Sequence, residues 1–210
     1  MKIKLETYTP EDIISSSAKT CYATEGDRNI TKTLVHKNKH LAVLRFAFAV
    51  FKIDEISRAC ADQLVRSSHL SYLVQSMRYV KADKMKFIVP YGLSNKQKLS
   101  MERAWDNSLD TYNMLIMNGL KKEDARAVLP MNTSTAVAVA GNLQGWVDAI
   151  KLRVSPYAQK EIRIMFILIW RELSKVYPNV FPSEFKVNGK ELQYWIVDEK
   201  VEGWIKDDTN

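Results

Sequence analysis

The sequence predicts a single α+β domain over residues 1–210, and three observations predict it. Two early segments, at 3–8 and 41–52, are rich in β-branched and aromatic residues in the manner of strands. Several later segments repeat apolar residues at helical spacing, most strongly after Pro156, where Ile162, Met165, Phe166, Ile169, Trp170 and Leu173 form one stripe. No internal repeat, low-complexity tract or linker divides the chain, and 210 residues with 46% hydrophobic content suffice for one full core.

Taken in order, Ile3 to Tyr8 reads as a short strand. A helix then starts after Thr9, with Pro10 at its first position and Glu11 and Asp12 in its first turn. ATEGDRNITK is a polar turn. His36 and His40 follow at a spacing that fits one helical face, but no third ligand is evident, and no metal is expected. Leu41 to Lys52 predicts a strand with Leu44, Phe46, Phe48 and Val50 on one face. Asp54 is the expected N-cap of a helix whose stripe is Ile56, Ala59, Cys60 and Leu64. Cys60 belongs to that stripe and reads as packing rather than as a reactive thiol.

FIVPYGLS predicts a further strand, and Ser94 or Asn95 begins a long helix to about Asn118, with Gly119 as its C-cap. LKKEDARAVLP gives a short helix stopping at Pro130. Thr133 to Val154 reads as one Ala-rich helix, in which Gly141 and Gly145 mark close backbone approach. Pro156 starts the strongly amphipathic helix. Val187 to Ile205 alternates as a hairpin turning at Asn188–Gly189.

Function is narrowed first by charge. A net charge of +7 favours anionic partners such as nucleotides, polyanionic cofactors or nucleic acid, without choosing among them. No recognition motif or aromatic–basic interleave supports nucleic acid. No apolar run approaches membrane-spanning length, and MKIKLETYTP lacks the apolar core of a signal peptide. Two cysteines, Cys21 and Cys60, make no disulfide framework, so a cytoplasmic setting is expected. There is no GxGxxG after a strand and no Walker sequence.

The densest chemistry lies in Gln63 to Tyr79, QLVRSSHLSYLVQSMRY. Arg66 and Arg78 enclose Ser67, Ser68, Ser71, Gln75 and Ser76, a set able either to hold an anionic ligand or to anchor neighbouring backbone. The spacing of Arg66, Ser71, Ser76, Arg78 and Tyr79 resembles the Arg-His-Arg-x-x-Ser-x-Asn-x-x-Ser-x-Arg signature of the flavin-dependent thymidylate synthases. Ser67, Ser68 and Leu73 depart from it, standing in the His, second Arg and Asn places. The resemblance extends over residues 36–183. His40 falls in the place of a Glu-His pair, with Lys39 replacing the glutamate. Gln63, ARAVLP at 125–130, Asn142–Leu143, Leu152–Arg153 and Ala158–Gln159–x–Glu161–Ile162 are similar to further family blocks in the same order.

The resemblance implies a central, mostly antiparallel sheet flanked by long helices, and a homotetramer with active sites shared between chains. It also implies an enzyme that moves a one-carbon unit from methylenetetrahydrofolate to C5 of dUMP, with FAD supplying hydride and NADPH restoring it. Gln63, Arg66, Ser76, Arg78, Arg126 and Arg153 would then bind the nucleotide, Arg126 reaching in from a neighbouring subunit. Arg153 and Ser76 would act in catalysis, and His40, Arg66 and Asn142 would contact FAD. Ser68, Gln144 and Asp148 take cations or an amide away from the flavin side and add an anion. A hydroxymethylating or altered-substrate relative with weakened FAD dependence, or a non-catalytic nucleotide binder, is the alternative.

Overall fold

The structure, a computed structural model, describes residues 1–22, 29–80 and 84–182. Four antiparallel strands form one sheet in the order β1-β2-β4-β3, comprising β1 (Lys2–Tyr8), β2 (Phe48–Ser57), β3 (Ser71–Val74) and β4 (Ser134–Asn142). Around it lie α1 (Asp12–Tyr22), α2 (Arg58–Leu64), α3 (Asn95–Met117), α4 (Lys122–Ala125), α5 (Leu143–Arg153) and α6 (Lys160–Val176). The α+β class, the antiparallel sheet and the long helices match expectation. The hairpin expected at Val187 to Ile205 lies outside the described residues.

One sheet face carries Ala49, Phe51 and Ile53 from β2 with Val137 and Val139 from β4, all buried. Against it pack Trp146 of α5 and the α6 stripe of Ile162, Met165, Phe166, Ile169, Trp170 and Leu173. Phe51 meets Trp146 edge-on at 5.0 Å between ring centroids, and the indole N–H donates to the Ala49 carbonyl at 3.2 Å. A large buried aromatic thus keeps its polar edge satisfied. The stripe is as expected, although its helix begins at Lys160, four residues beyond Pro156.

Several local expectations fail, and three of them have a clear physical reason. Leu41 to Lys52 is not one strand: Leu41–Phe46 is a 3₁₀ helix, and β2 starts at Phe48. The inward set is Ala47, Ala49, Phe51 and Ile53, while Phe46 and Phe48 are 60% and 51% exposed. Because the side-chain period of a strand is two, a one-residue slip inverts the whole face. Asp54 caps no helix, for β2 continues through a bulge between Ile53 and Ile56, and Ser57 caps α2 instead. Thr133 to Val154 divides into β4 and α5 at Asn142. Alanine suggested helix, yet Thr135, Val137 and Val139 are buried in strict alternation with half-buried Ala136, Ala138 and Ala140. Small residues on one face and β-branched residues on the other make a central strand.

FIVPYGLS contributes only the isolated bridge Phe87 to Thr133. The long helix is correct in place and in both ends: Ser94 forms a capping box with Gln97, and Gly119 follows α3 at φ +87. The histidines do not share a helical face. His36 sits in a single π turn, Thr33–Lys37, with Nε2 3.0 Å from the Asn179 carbonyl, and His40 begins the 3₁₀ helix.

Candidate active site

The end of α2, the start of β3 and helix α5 bring together some of the polar residues singled out in the sequence, Gln63 and Arg153 among them. Ser57 closes the first turn of α2, and Gln63 occupies its last turn. Arg153 ends α5 and extends its guanidinium to the Gln63 main-chain carbonyl at 2.5 Å. The Gln63 side-chain amide donates to Gln159, the residue preceding α6. Arg66, just beyond α2, is exposed.

From Ser67 to Leu70 the backbone crosses close over α5. A Cβ on Gly145 would come within 2.6 Å of the His69 carbonyl oxygen, and one on Gly141 would strike the Leu70 side chain. The expectation of close approach at both glycines therefore holds, although Gly141 lies in a strand. Asn142 caps α5 by accepting from the Gly145 N–H at 2.9 Å. Tyr72 of β3 donates its hydroxyl to the Ser67 carbonyl at 2.7 Å; burial pushes this phenol up, while the nearby Arg153 cation pulls the other way.

Three polar atoms on α5 and the segment crossing it are buried with no partner among the described residues: Ser67 Oγ, Gln144 Oε1 at the start of α5 and Arg153 Nε at its end. Buried polar groups in native proteins are nearly always satisfied. Arg153 Nε can donate, Gln144 Oε1 can accept and the Ser67 hydroxyl can do either, so these atoms suit polar ligand groups that carry both donors and acceptors. Gln144 also donates to both carboxylate oxygens of Asp148 at 3.0 Å. The amide that stands where the resemblance implies a cation is thus already engaged by Asp148.

Ser76, Arg78 and Arg126 form a second group. Arg78 pairs with the Glu123 carboxylate at 3.0 Å, and Arg126 donates to the Glu123 carbonyl at 3.0 Å. Ser76 Oγ accepts from the Arg78 N–H at 3.2 Å within the turn after β3. Arg58, at the start of α2, holds this turn to the sheet by donating to the Gln75 carbonyl and Thr135 Oγ1, both at 3.1 Å. His40 lies exposed at the head of the 3₁₀ helix.

Sequence reasoning passed over Tyr72, Arg58 and Glu123. The aromatic and β-branched content of Ser71–Val74 is the signal that points to a strand presenting Tyr72. Cys60 is buried and free, and burial beside Glu161 pushes its thiol far above the ordinary range, as suits packing. No group here supplies a thiolate nucleophile.

Residues 4–179 match the family model described as Thymidylate synthase complementing protein. The flavin-dependent thymidylate synthase of Mycobacterium marinum (strain ATCC BAA-535 / M) is 36% identical over 165 residues, 70% of this chain and 66% of that protein. That of Geobacter sulfurreducens (strain ATCC 51573 / DSM 12127 / PCA) is 33% identical over 198 residues, covering 86% and 85%. The fold is similar to that of the Helicobacter pylori flavin-dependent thymidylate synthase crystallised with FAD and dUMP, at a TM-score of 0.73 and 20% identity. That likeness covers 87% of this chain and 98% of the other.

Proposed function

The chain belongs to the flavin-dependent thymidylate synthase family, and we propose that it transfers a one-carbon unit from methylenetetrahydrofolate to C5 of dUMP, giving dTMP. The observation that carries this reading is the junction of Arg153 with Gln63, where a guanidinium is anchored at one nitrogen and keeps a buried Nε open.

Arg153 polarises the uracil and stabilises the negative charge that develops on its ring, as a preorganised donor in a water-poor site. Gln63 meets the uracil edge, and Ser76 orients the nucleotide. Arg78 and Arg126 take the phosphate. Binding draws Arg78 away from Glu123: an exposed ion pair is worth about 0–1 kcal/mol, whereas each charge-assisted hydrogen bond to the phosphate contributes roughly 1.5–3 kcal/mol. Arg126 serves the site of a neighbouring subunit in a homotetramer.

FAD, when bound, supplies the hydride that completes the methyl group, and NADPH replenishes it. His40, Arg66 and Asn142 would hold the flavin, with the open Gln144 Oε1 available to its polar edge. Ser67 and Ser68 contribute hydroxyls where the family signature has larger basic groups. The free cysteines support a cytoplasmic setting, and among the described residues no helix is long and apolar enough to cross a membrane.

Binding tests the reading directly. The purified protein is expected to bind dUMP stoichiometrically and to retain a flavin absorbance band after FAD is added and the excess removed. A colourless protein without measurable dUMP affinity would overturn it.

A further inference from the structure

Glu161 is a carboxylate with 5% exposure, set in the first turn of α6 among Ile162, Ile164 and Met165. It accepts two hydrogen bonds from one residue, the Ser57 N–H at 2.8 Å and the Ser57 hydroxyl at 2.6 Å. The hydroxyl proton is therefore committed to Glu161. The Ser57 oxygen is left to accept from the Cys60 N–H at 3.0 Å, which is the capping bond of α2.

Helix α2 has seven residues, too few to hold its own position through backbone hydrogen bonds. It is fastened instead to the start of α6 at both ends: at Ser57 by Glu161, and at Gln63 by Gln159. A buried carboxylate is costly unless its oxygens are bonded. Here the two bonds and the positive end of the α6 dipole meet that need. An apolar residue would fill the same space, but it could not direct the serine hydroxyl.

We propose that Glu161 is a positioning residue for the nucleotide site: by orienting the Ser57 hydroxyl it fixes the start of α2, and so places Gln63 at its end for the uracil. This rests on the reading of Gln63 as a substrate ligand. Glu161 touches no reacting atom and acts through Ser57.

The test is calorimetric titration of dUMP into the full chain carrying Glu161→Ala, Glu161→Gln or Ser57→Ala, each alone and together with Gln63→Ala. Glu161→Ala and Ser57→Ala are each expected to weaken dUMP binding about tenfold, a loss readily resolved in Kd. Glu161→Gln keeps one acceptor for the Ser57 N–H but turns an amide N–H toward the hydroxyl, and so recovers only part of that loss. On the Gln63→Ala background the same changes have no further effect, because they act through the group already removed.

An unchanged Kd with a lowered unfolding temperature in Glu161→Ala would overturn the proposal, as would losses that multiply in full with Gln63→Ala. Should Glu161→Ala not fold, Ser57→Ala carries the same test, and an unchanged Kd there overturns it. If the unaltered protein binds no dUMP, the nucleotide reading itself falls. If it binds dUMP and none of the variants differs, only the relay falls.

Discussion

Arg153 donates to the main chain of Gln63 and keeps a second nitrogen buried without a partner among the described residues, so its removal disturbs both placement and charge. Arg153→Ala is expected to lower kcat/KM for thymidylate formation by roughly 10- to 100-fold, the worth of one charge-assisted contact in the transition state. Steady-state kinetics that match the unaltered protein would remove Arg153 from the site. Far from this region, Glu55 has a positive φ in the β2 bulge and accepts from Lys86 at 2.6 Å, with Lys2 at 3.2 Å. Hydrogen bonds from Lys86 and Lys2 pull its carboxyl down to about 2. A depressed folded-state value stabilises the protein above the ordinary carboxylate range and is lost as pH falls toward that lowered value. The unfolding temperatures of the unaltered protein and Glu55→Gln should therefore differ at neutral pH and converge toward pH 2. At this scale Arg66, Arg78, Arg126 and Arg153 stand out in the chain because they are cations at fixed spacing, and the structure puts Arg153 beside Gln63 and both Arg78 and Arg126 beside Glu123. Glu161 does not stand out, since only folding shows that an acidic residue beside an apolar stripe turns inward to a serine.

Helix α5 and strand β4 show what local pattern can and cannot determine. Both were read as one helix because alanine favours helices, and intrinsic propensity is a weak guide once a segment is paired on both sides. The glycine signal survived that error: Gly145 has no room for a side chain beneath the His69 carbonyl, whichever element contains it. Gly145→Ala is expected to destabilise the fold by about 1–3 kcal/mol through overpacking, and to shift the segment carrying Ser67 and Ser68. Equilibrium denaturation measures the first effect, and an unchanged midpoint would mean that the crossing is looser than described. Helices α3 and α6 were legible because a capping box, a terminal glycine and a long apolar stripe are written locally. The sheet order was not: β1-β2-β4-β3 depends on pairings between segments far apart in sequence.

At the scale of the whole molecule, the polar residues fall into two groups, one around Gln63 and Arg153 and the other around Glu123 with Arg78 and Arg126. The proposal that sites are completed between chains assigns the Arg126 and the Arg153 of one site to different chains. It yields a sharp expectation for co-expressed variants. Arg126→Ala and Arg153→Ala should each be strongly impaired alone, while mixed assemblies regain part of the lost activity because some sites receive both arginines. Mixtures no more active than their parents would contradict shared sites. The net charge of +7 suits anionic ligands but leaves their identity to the site.

The central claim is flavin-dependent methylation of dUMP, and mass analysis of the product tests it most directly. Protein, dUMP and methylenetetrahydrofolate are incubated with FAD and NADPH together, and again with each omitted. The account predicts dTMP only in the complete mixture. A 5-hydroxymethyl nucleotide formed equally well without FAD would contradict it, and would assign the chain to one-carbon transfer without the final reduction.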